Sequence, residues 1–274
     1  MKIGDAKLSP PKLLIYGPAG AGKSALMYTL GARIKVFDFD RGWNTALKLQ
    51  DEHTKRRQEV ELAGPVIDGQ PMGYVDANPK SPKAWFAFKT DLIALAGSIQ
   101  SSGGKSPYQA YGFDSLTTMF ECALRFIMGN GGDSFGAPQI QHWGLAFTEV
   151  LNMMSIIRTL PGVVVLIAHE QRDVIKRTPT DKDGQQIIEI GIPGKNMPGK
   201  IPSYFDEFWY MDTVPGVGNK LERRLQTCKD MLVGARSRLC LPNGTETKDG
   251  LEAILKKCGY EFPSYPVEVA TKQS

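Results

Sequence analysis

Eight consecutive residues carry the sharpest chemistry in this chain: Gly17-Pro18-Ala19-Gly20-Ala21-Gly22-Lys23-Ser24 satisfies the pattern G-x-x-x-x-G-K-[ST] at every position. Small residues at this spacing let backbone N–H groups wrap a phosphate chain. Ala25 then leads into a helix whose N-terminal end favours negative charge. Lys23 is placed to reach the terminal phosphates, and the Ser24 hydroxyl to ligate an accompanying Mg²⁺. The same chemistry needs a carboxylate at the end of a neighbouring strand, where it holds the metal's shell. The stretch YGFDSLT supplies one in Asp114. A carboxylate or hydroxyl there also suits a helix cap, and Asp114 and Ser115 are both placed for that plainer role. An acidic pair, Asp38 and Asp40, closes the stretch VFDFD. Strand residues two apart share a face, so either can aim at the terminal phosphate and orient an attacking water, Asp40 being the stronger candidate. The plainer alternative is a solvated turn with Arg41 as partner.

These residues must be held by elements whose order is legible. KLLIY from Lys12 to Tyr16 reads as a strand, the glycine-rich turn follows, and a helix is expected from Lys23 to about Ala32. IKVFDF is the next strand, and strand, helix, strand is the signature of a parallel sheet. Residues 50–83 begin with a charged run and turn rich in Gly and Pro, an insertion or long excursion at the sheet edge. AWFAFKTDLIALAGSI restores helical spacing, with Trp85, Phe86 and Phe88 expected in the core. A strand ending at Asp114 and a helix from about Leu116 to Met128 come next, then the glycine-rich GNGGDSFGAP, then a helix through LAFTEVLNMMSIIRTL that Pro161-Gly162 stops. VVVLIA reads as a strand buried on both faces, with His169, Glu170 and Gln171 at its end. Residues 172–203 are loop-rich, with a hairpin expected around Asp183-Gly184. FDEFWYMD and KLERRLQT read as strands, and a short helix near Leu251 to Lys257 precedes a polar tail.

The 274 residues, 42% apolar and 23% charged, fit one globular domain: a segment 1–11, a core 12–262 and a tail 263–274. A net charge of +4 is too mild to announce a nucleic-acid binder, so any such contact must come from local patches. The amino-terminal stretch lacks an apolar targeting region and no run approaches the length of a membrane span, so no membrane partner is expected. Cys122, Cys228, Cys240 and Cys258 form no C-x-x-C pair, which suits a reducing cytoplasm and suggests neither zinc nor disulfides. His53, Lys55, Arg56 and Arg57 make a basic run that reads as a solvated face.

Taken in order, GPAGAGKS, VFDFDRG, YGFDSLT and VVVLIAHEQ resemble the RecA-type ATPase core, and most the compact bacteriophage RecA-like proteins linked to single-strand annealing and recombination. The resemblance spans about residues 12–240. It implies a single α/β RecA-like P-loop NTPase domain, with a mainly parallel central sheet flanked by helices and a few antiparallel strands at the carboxy-terminal edge. It implies ATP and Mg²⁺ as cofactors, with Gly17 to Ala25 holding the nucleotide and Ser24 and Asp114 the metal. Asp40 occupies the place of the catalytic base, where the family more often has Glu. His169 is similar to the phage-type residue that senses the terminal phosphate, with Gln171 a lesser candidate. In GARSR, Arg236 and Arg238 resemble a K-x-R pair that reaches the nucleotide of a neighbouring subunit, so a homo-oligomer with ATP at its interfaces is implied. The segment MKIGDAKLSPP has no Phe anchor of the kind related recombinases insert into a neighbour. GNGGDSFGAP, with Phe135, stands where the family has its first DNA-binding loop, and residues 170–200 where it has its second. The latter hold Arg172, Lys176, Arg177, Lys182, Lys195 and Lys200 against Glu170, Asp173, Asp181, Asp183 and Glu189. Single-stranded DNA is the implied partner, with a single-strand-binding protein as a further one and a cytoplasmic setting, that of the host if a phage encodes the chain. The alternatives are a P-loop ATPase serving a protein client, as a helicase loader, packaging or regulatory ATPase, and, less favoured, a small-molecule kinase.

Overall fold

The computed structural model describes residues 8–49, 59–67, 70–78, 80–130, 136–175, 185–193, 197–216, 218 and 220–262. In chain order these form β1 (Lys12–Gly17), α1 (Lys23–Met27), β2 (Ile34–Asp38), α2 (Trp43–Lys48), β3 (Val60–Ala63), β4 (Val66–Ile67) and β5 (Gln70–Pro71). There follow α3 (Ala84–Ser101), β6 (Ala110–Asp114), α4 (Leu116–Asn130), α5 (Ile140–Ile157), β7 (Val163–Ile175), β8 (Gln185–Ile190) and α6 (Met197–Lys200). The chain closes with β9 (Glu207–Pro215), β10 (Leu221–Gln226), β11 (Thr245–Glu246) and α7 (Gly250–Lys257).

The central sheet runs β11-β10-β9-β1-β7-β6-β2-β3, with β8 paired to the far end of β7. From β9 to β3 every pairing is parallel, while β10 and β11 are antiparallel at the edge. Strict alternation divides the buried side chains between two faces. Leu14, Tyr16, Phe37, Phe113, Leu166 and Ala168 face the core under α3, α4 and α5. Leu13, Ile15, Val36, Val165 and Ile167 face the core under α1 and α7, joined there by Trp209 and Met211 of β9. That two-sided burial explains why the central strands are almost continuously apolar.

The structure refines several expected boundaries. The stretch expected as an excursion contains β3, which extends the parallel sheet beyond β2. α1 ends early, at Met27 with Tyr28 as its C-cap, and the Thr29 hydroxyl donates to the Leu26 carbonyl at 2.6 Å. α5 begins at Ile140, because Gln139 and His142 cap each other: the Gln139 amide donates to His142 Nδ1 at 3.2 Å. β7 runs seven residues past VVVLIA, because β8 returns antiparallel from Gln185 opposite Ile175 to Ile190 opposite Glu170. Trp85 and Phe88 are core residues as expected, whereas Phe86 is exposed and stacks on Phe126. The basic run at 53–57 lies outside the described residues. Among them no helix is long and apolar enough to cross a membrane.

β9 is locked by one buried carboxylate. Glu207 Oε1 accepts from the Arg238 and Leu239 amides at 2.7 and 2.8 Å, and Oε2 accepts from Trp209 Nε1 at 2.7 Å. Replacing it leaves three buried donors without acceptors. Glu207→Leu is therefore expected to lower stability by about 2–4 kcal/mol in urea unfolding.

Candidate active site

Parallel strands deliver their carboxy-terminal ends to one edge of the sheet, and that edge gathers the chemistry. Gly17 of β1 lies in register with His169 of β7, and Asp38 of β2 with Asp114 of β6. β7 separates the strand that feeds the glycine-rich loop from the strand that ends in Asp114. The Phe39 and Asp40 amides donate to the Asp114 carbonyl, at 2.5 and 3.2 Å, so the two acidic strand ends are stitched together beyond the sheet.

The loop itself turns through Gly22, whose φ of +96° is a left-handed conformation that side chains rarely adopt. Lys23 is buried, and its ammonium donates to the Gly17 and Pro18 carbonyls at 2.9 and 2.7 Å. Burial lowers its pKa, opposed by the charges of Asp114, Glu170 and Asp40. Ser24 Oγ donates to Asp114 Oδ2 at 2.6 Å, joining the start of α1 to the end of β6. A Cβ on Gly42 would stand 2.4 Å from that same Asp114 oxygen, so only glycine leaves the space beside the carboxylate clear. A hydroxyl and a carboxylate held together beside a phosphate-binding loop fit Mg²⁺, which takes few protein oxygens and draws its other ligands from phosphate and water. Asp114 is almost fully buried, and burial, with the charges of Asp40 and Asp38, pushes its carboxyl up to about 7 against the help of Ser24 and Lys23.

The paired acids at and just beyond the end of β2 take different roles. Asp38 is buried, and its carboxylate accepts from the backbone amides of Asp40 at 2.9 Å, Gly42 at 3.0 Å and Trp43 at 2.8 Å. It shapes the turn into α2 and has no reach to spare for a phosphate. Asp40 points the other way, its Oδ2 lying 3.1 Å from His169 Nε2. Burial raises its carboxyl, but hydrogen bonds with His169, Thr118 and Ser115 outweigh that, leaving the pKa below the ordinary value. His169 is held in turn through its amide, which donates to Thr117 Oγ1 at 3.1 Å. Ser115 takes the capping role, its hydroxyl accepting from the Thr118 amide at 3.4 Å. The hydroxyls of Thr117 and Thr118 had a visible signal in DSLTT, which reads as a helix start; that they also serve β2 and β7 is decided by packing.

The remaining predicted residues are spread out. Arg236 is half-buried, its guanidinium donating to the Pro202 and Phe205 carbonyls at 3.0 and 2.6 Å. Arg238 is exposed and pairs with Asp206 at 3.0 Å. Arg236 bridges to Phe208, which is in register with Leu14, and Arg238 lies beside Glu207, in register with Leu13. Both therefore sit three to four strand residues, about 10–13 Å, back from the glycine-rich loop of their own chain. Gln171 donates to Asp173 at 2.8 Å, and Arg172 donates to Glu170 at 2.7 Å on the β7–β8 hairpin. Lys200 is exposed at the end of α6. Phe135, Lys176, Arg177, Lys182 and Lys195 lie outside the described residues.

A family model described as an AAA domain matches residues 9–239. No curated protein matches the chain. Among solved structures it is similar to the flagellar accessory protein FlaH from Methanocaldococcus jannaschii, at 10% identity and a TM-score of 0.42 over 86% of each chain. It is also similar to the ATPase EscN of the type III secretion system of enteropathogenic E. coli, solved with its central stalk EscO. That likeness is 12% identical with a TM-score of 0.43, covering 74% of this chain and 42% of EscN.

Two stability measurements separate the acids. A folded-state pKa near 7 for Asp114, raised from 3.8, means that its contribution to stability is fully present below about pH 4 and is lost as pH rises through 7. Without metal or nucleotide, Asp114→Asn is therefore expected to be more stable than wild type at pH 8 by about 2–4 kcal/mol, the gap closing towards pH 4 in urea unfolding. Asp38→Ala frees three backbone donors and is expected to lose about 2–3 kcal/mol in the same assay at pH 7.

Proposed function

The chain belongs to the AAA domain family and is a P-loop ATPase of the AAA and RecA-like kind, and on that premise we propose that it assembles on single-stranded DNA and uses ATP hydrolysis to reset that assembly during annealing or recombination. The observation that carries this reading is the 3.1 Å contact between Asp40 and His169. It joins the residue best placed to orient water to the strand that runs without interruption into the β7–β8 hairpin, so a change at the terminal phosphate has a direct mechanical route into that hairpin.

Catalysis in such a site is positioning and charge stabilisation. The loop from Gly17 to Ala25 wraps the phosphates with its amides, and Lys23 turns its ammonium to the terminal phosphate oxygens. Ser24 and Asp114 are the residues that would hold Mg²⁺, which would supply neutralisation of the phosphate charge. Asp40, kept ionised by its hydrogen bonds, accepts a proton-bearing edge of the attacking water, and His169 fixes the carboxylate and responds to the new phosphate. Asp40 is one methylene shorter than Glu, and His169 compensates by holding its carboxylate in place.

Arg172 on the hairpin and Lys200 at the end of α6 are the described candidates for contact with DNA, and the further candidates Phe135, Lys176, Arg177 and Lys195 lie outside the described residues. Placement of Arg238 at the opposite end of β1 from its own glycine-rich loop favours action on a neighbouring subunit. Arg236, fastened to two carbonyls, supports the wall from which Arg238 reaches. The resemblance of the ordered motifs to the compact bacteriophage RecA-like proteins is what supports a bacteriophage setting.

ATP hydrolysis measured with and without single-stranded DNA across a protein dilution series tests this. Turnover per subunit should rise with protein concentration and with DNA, and Lys23→Ala should abolish it. Asp40→Asn should still bind ATP but lose about 100-fold or more in kcat. DNA-independent hydrolysis with no salt-sensitive DNA binding would transfer the reading to a protein client, and full activity in Lys23→Ala would overturn it.

A further inference from the structure

The turn that follows β2 is fixed from two sides. Asp38 accepts from the amides of Asp40 at 2.9 Å, Gly42 at 3.0 Å and Trp43 at 2.8 Å, passing over that of Arg41. From behind, the Tyr74 amide donates to the Asp38 carbonyl at 2.7 Å, and a Cβ on Gly73 would stand 2.6 Å from that same oxygen. In this turn Arg41 is held at a φ of +57°, the left-handed region where a side chain crowds its own backbone. Among the described residues only Cys240 is another non-glycine there. Glycine takes this conformation at no steric cost, so the turn carries an arginine against its own backbone preference.

The placement of Arg41 gives that strain a use. One residue before it, Asp40 faces His169 at 3.1 Å. One residue after it, the backbone of Gly42 lies against the metal-site pair, where a Cβ would stand 2.4 Å from Asp114 Oδ2 and 3.6 Å from Ser24 Oγ. Consecutive Cα atoms are about 3.8 Å apart, so Arg41 stands between the water-orienting acid and the residues that would hold Mg²⁺. It is exposed and pairs with neither acid of the turn, whose oxygens are taken by backbone amides and by His169. Among the described residues its side chain has no carboxylate within ion-pair distance. Arg223 rests on the opposite flank of the phosphate loop, where a Cβ on Gly22 would stand 2.7 Å from its Nε. On the flank of Asp40 and Asp114 it is Arg41 that supplies a guanidinium, a planar fork able to engage two phosphate oxygens at once.

We propose that Arg41 is a catalytic residue of its own subunit, its guanidinium contacting the terminal phosphate and stabilising the charge that builds there during hydrolysis. This rests on the P-loop ATPase reading and deepens it. The water oxygen bonds to the terminal phosphorus as the bond from that phosphorus to the bridging oxygen breaks. The electron pair of the broken bond leaves with ADP, and the water's proton passes by way of Asp40 to solvent. Arg41 stays protonated throughout and acts by charge and position alone. It serves its own subunit's nucleotide, in contrast to the role proposed for Arg238.

The full-length protein is tested with ATP, with ADP, and with ADP plus aluminium fluoride, which mimics the phosphoryl group in flight. Arg41→Gly should lower kcat about 100-fold or more while the Kd for ADP changes less than about threefold, because ADP lacks the group that Arg41 contacts. The same variant should lose about tenfold or more in affinity for ADP with aluminium fluoride, and Arg41→Lys should recover part of both losses. Arg41→Gly should melt no lower than wild type, since glycine fits the left-handed turn. Mixing Arg41→Gly with Lys23→Ala should restore no activity, because each lesion disables its own subunit's site. A kcat close to that of wild type, an equal loss in affinity for ADP alone, a lower melting temperature, or restored activity in the mixture would overturn the proposal and leave the ATPase reading intact. Failure of wild type to hydrolyse ATP would overturn both.

Discussion

Three carboxylates meet at the ends of β2 and β6, and like charges brought together away from water cannot all remain ionised without compensation. Each is compensated differently, and the difference assigns the roles. Asp38 spends its oxygens on backbone amides and becomes part of the turn. Asp40 is held ionised by His169, Thr118 and Ser115. Asp114 is left with Ser24 and the more distant Lys23, and it carries the residual cost as a raised pKa. A divalent cation with its phosphates is the remaining counter-charge such a cluster needs. The site is thus least stable where it is most useful, a common arrangement for functional groups.

The rest of the architecture serves that edge. Parallel pairing places four strand ends together, and the apolar side chains on both sheet faces hold them there through two separate cores. The antiparallel strands β10 and β11 add no carboxylate to the cluster. They instead close the far side of the phosphate loop and bring a cation to it. Among the described residues β7 is the strand shared by the central sheet and the β7–β8 hairpin, so His169 at the sheet edge lies on the same continuous strand as that hairpin.

Much of this was legible in the linear order of residues because it depends on short-range rules. The G-x-x-x-x-G-K-[ST] spacing, the apolar runs of β1, β6 and β7, and the acids at strand ends are local patterns, and each found its element within a few residues. Boundaries slipped where a distant partner intervened. β3 joined the sheet through pairing with β2, and β7 outran its apolar run through pairing with β8. The exposure of Phe86 against the burial of Trp85 and Phe88 followed from how α3 seats on the sheet, which helical spacing alone leaves open.

By itself the sequence determined a phosphate-binding loop between strand and helix, a parallel α/β core and a short set of candidate acids, since backbone geometry and strand periodicity act between neighbours. Tertiary structure decided which acid caps a turn and which faces His169, because that choice depends on amides and hydroxyls delivered by other elements. It also decided that Arg236 and Arg238 lie away from their own loop while Arg223 rests on it. Arginines look alike in a sequence, and only the register of β9 against β1, of β10 against β9, and the bridge from Arg236 to Phe208 tell these apart.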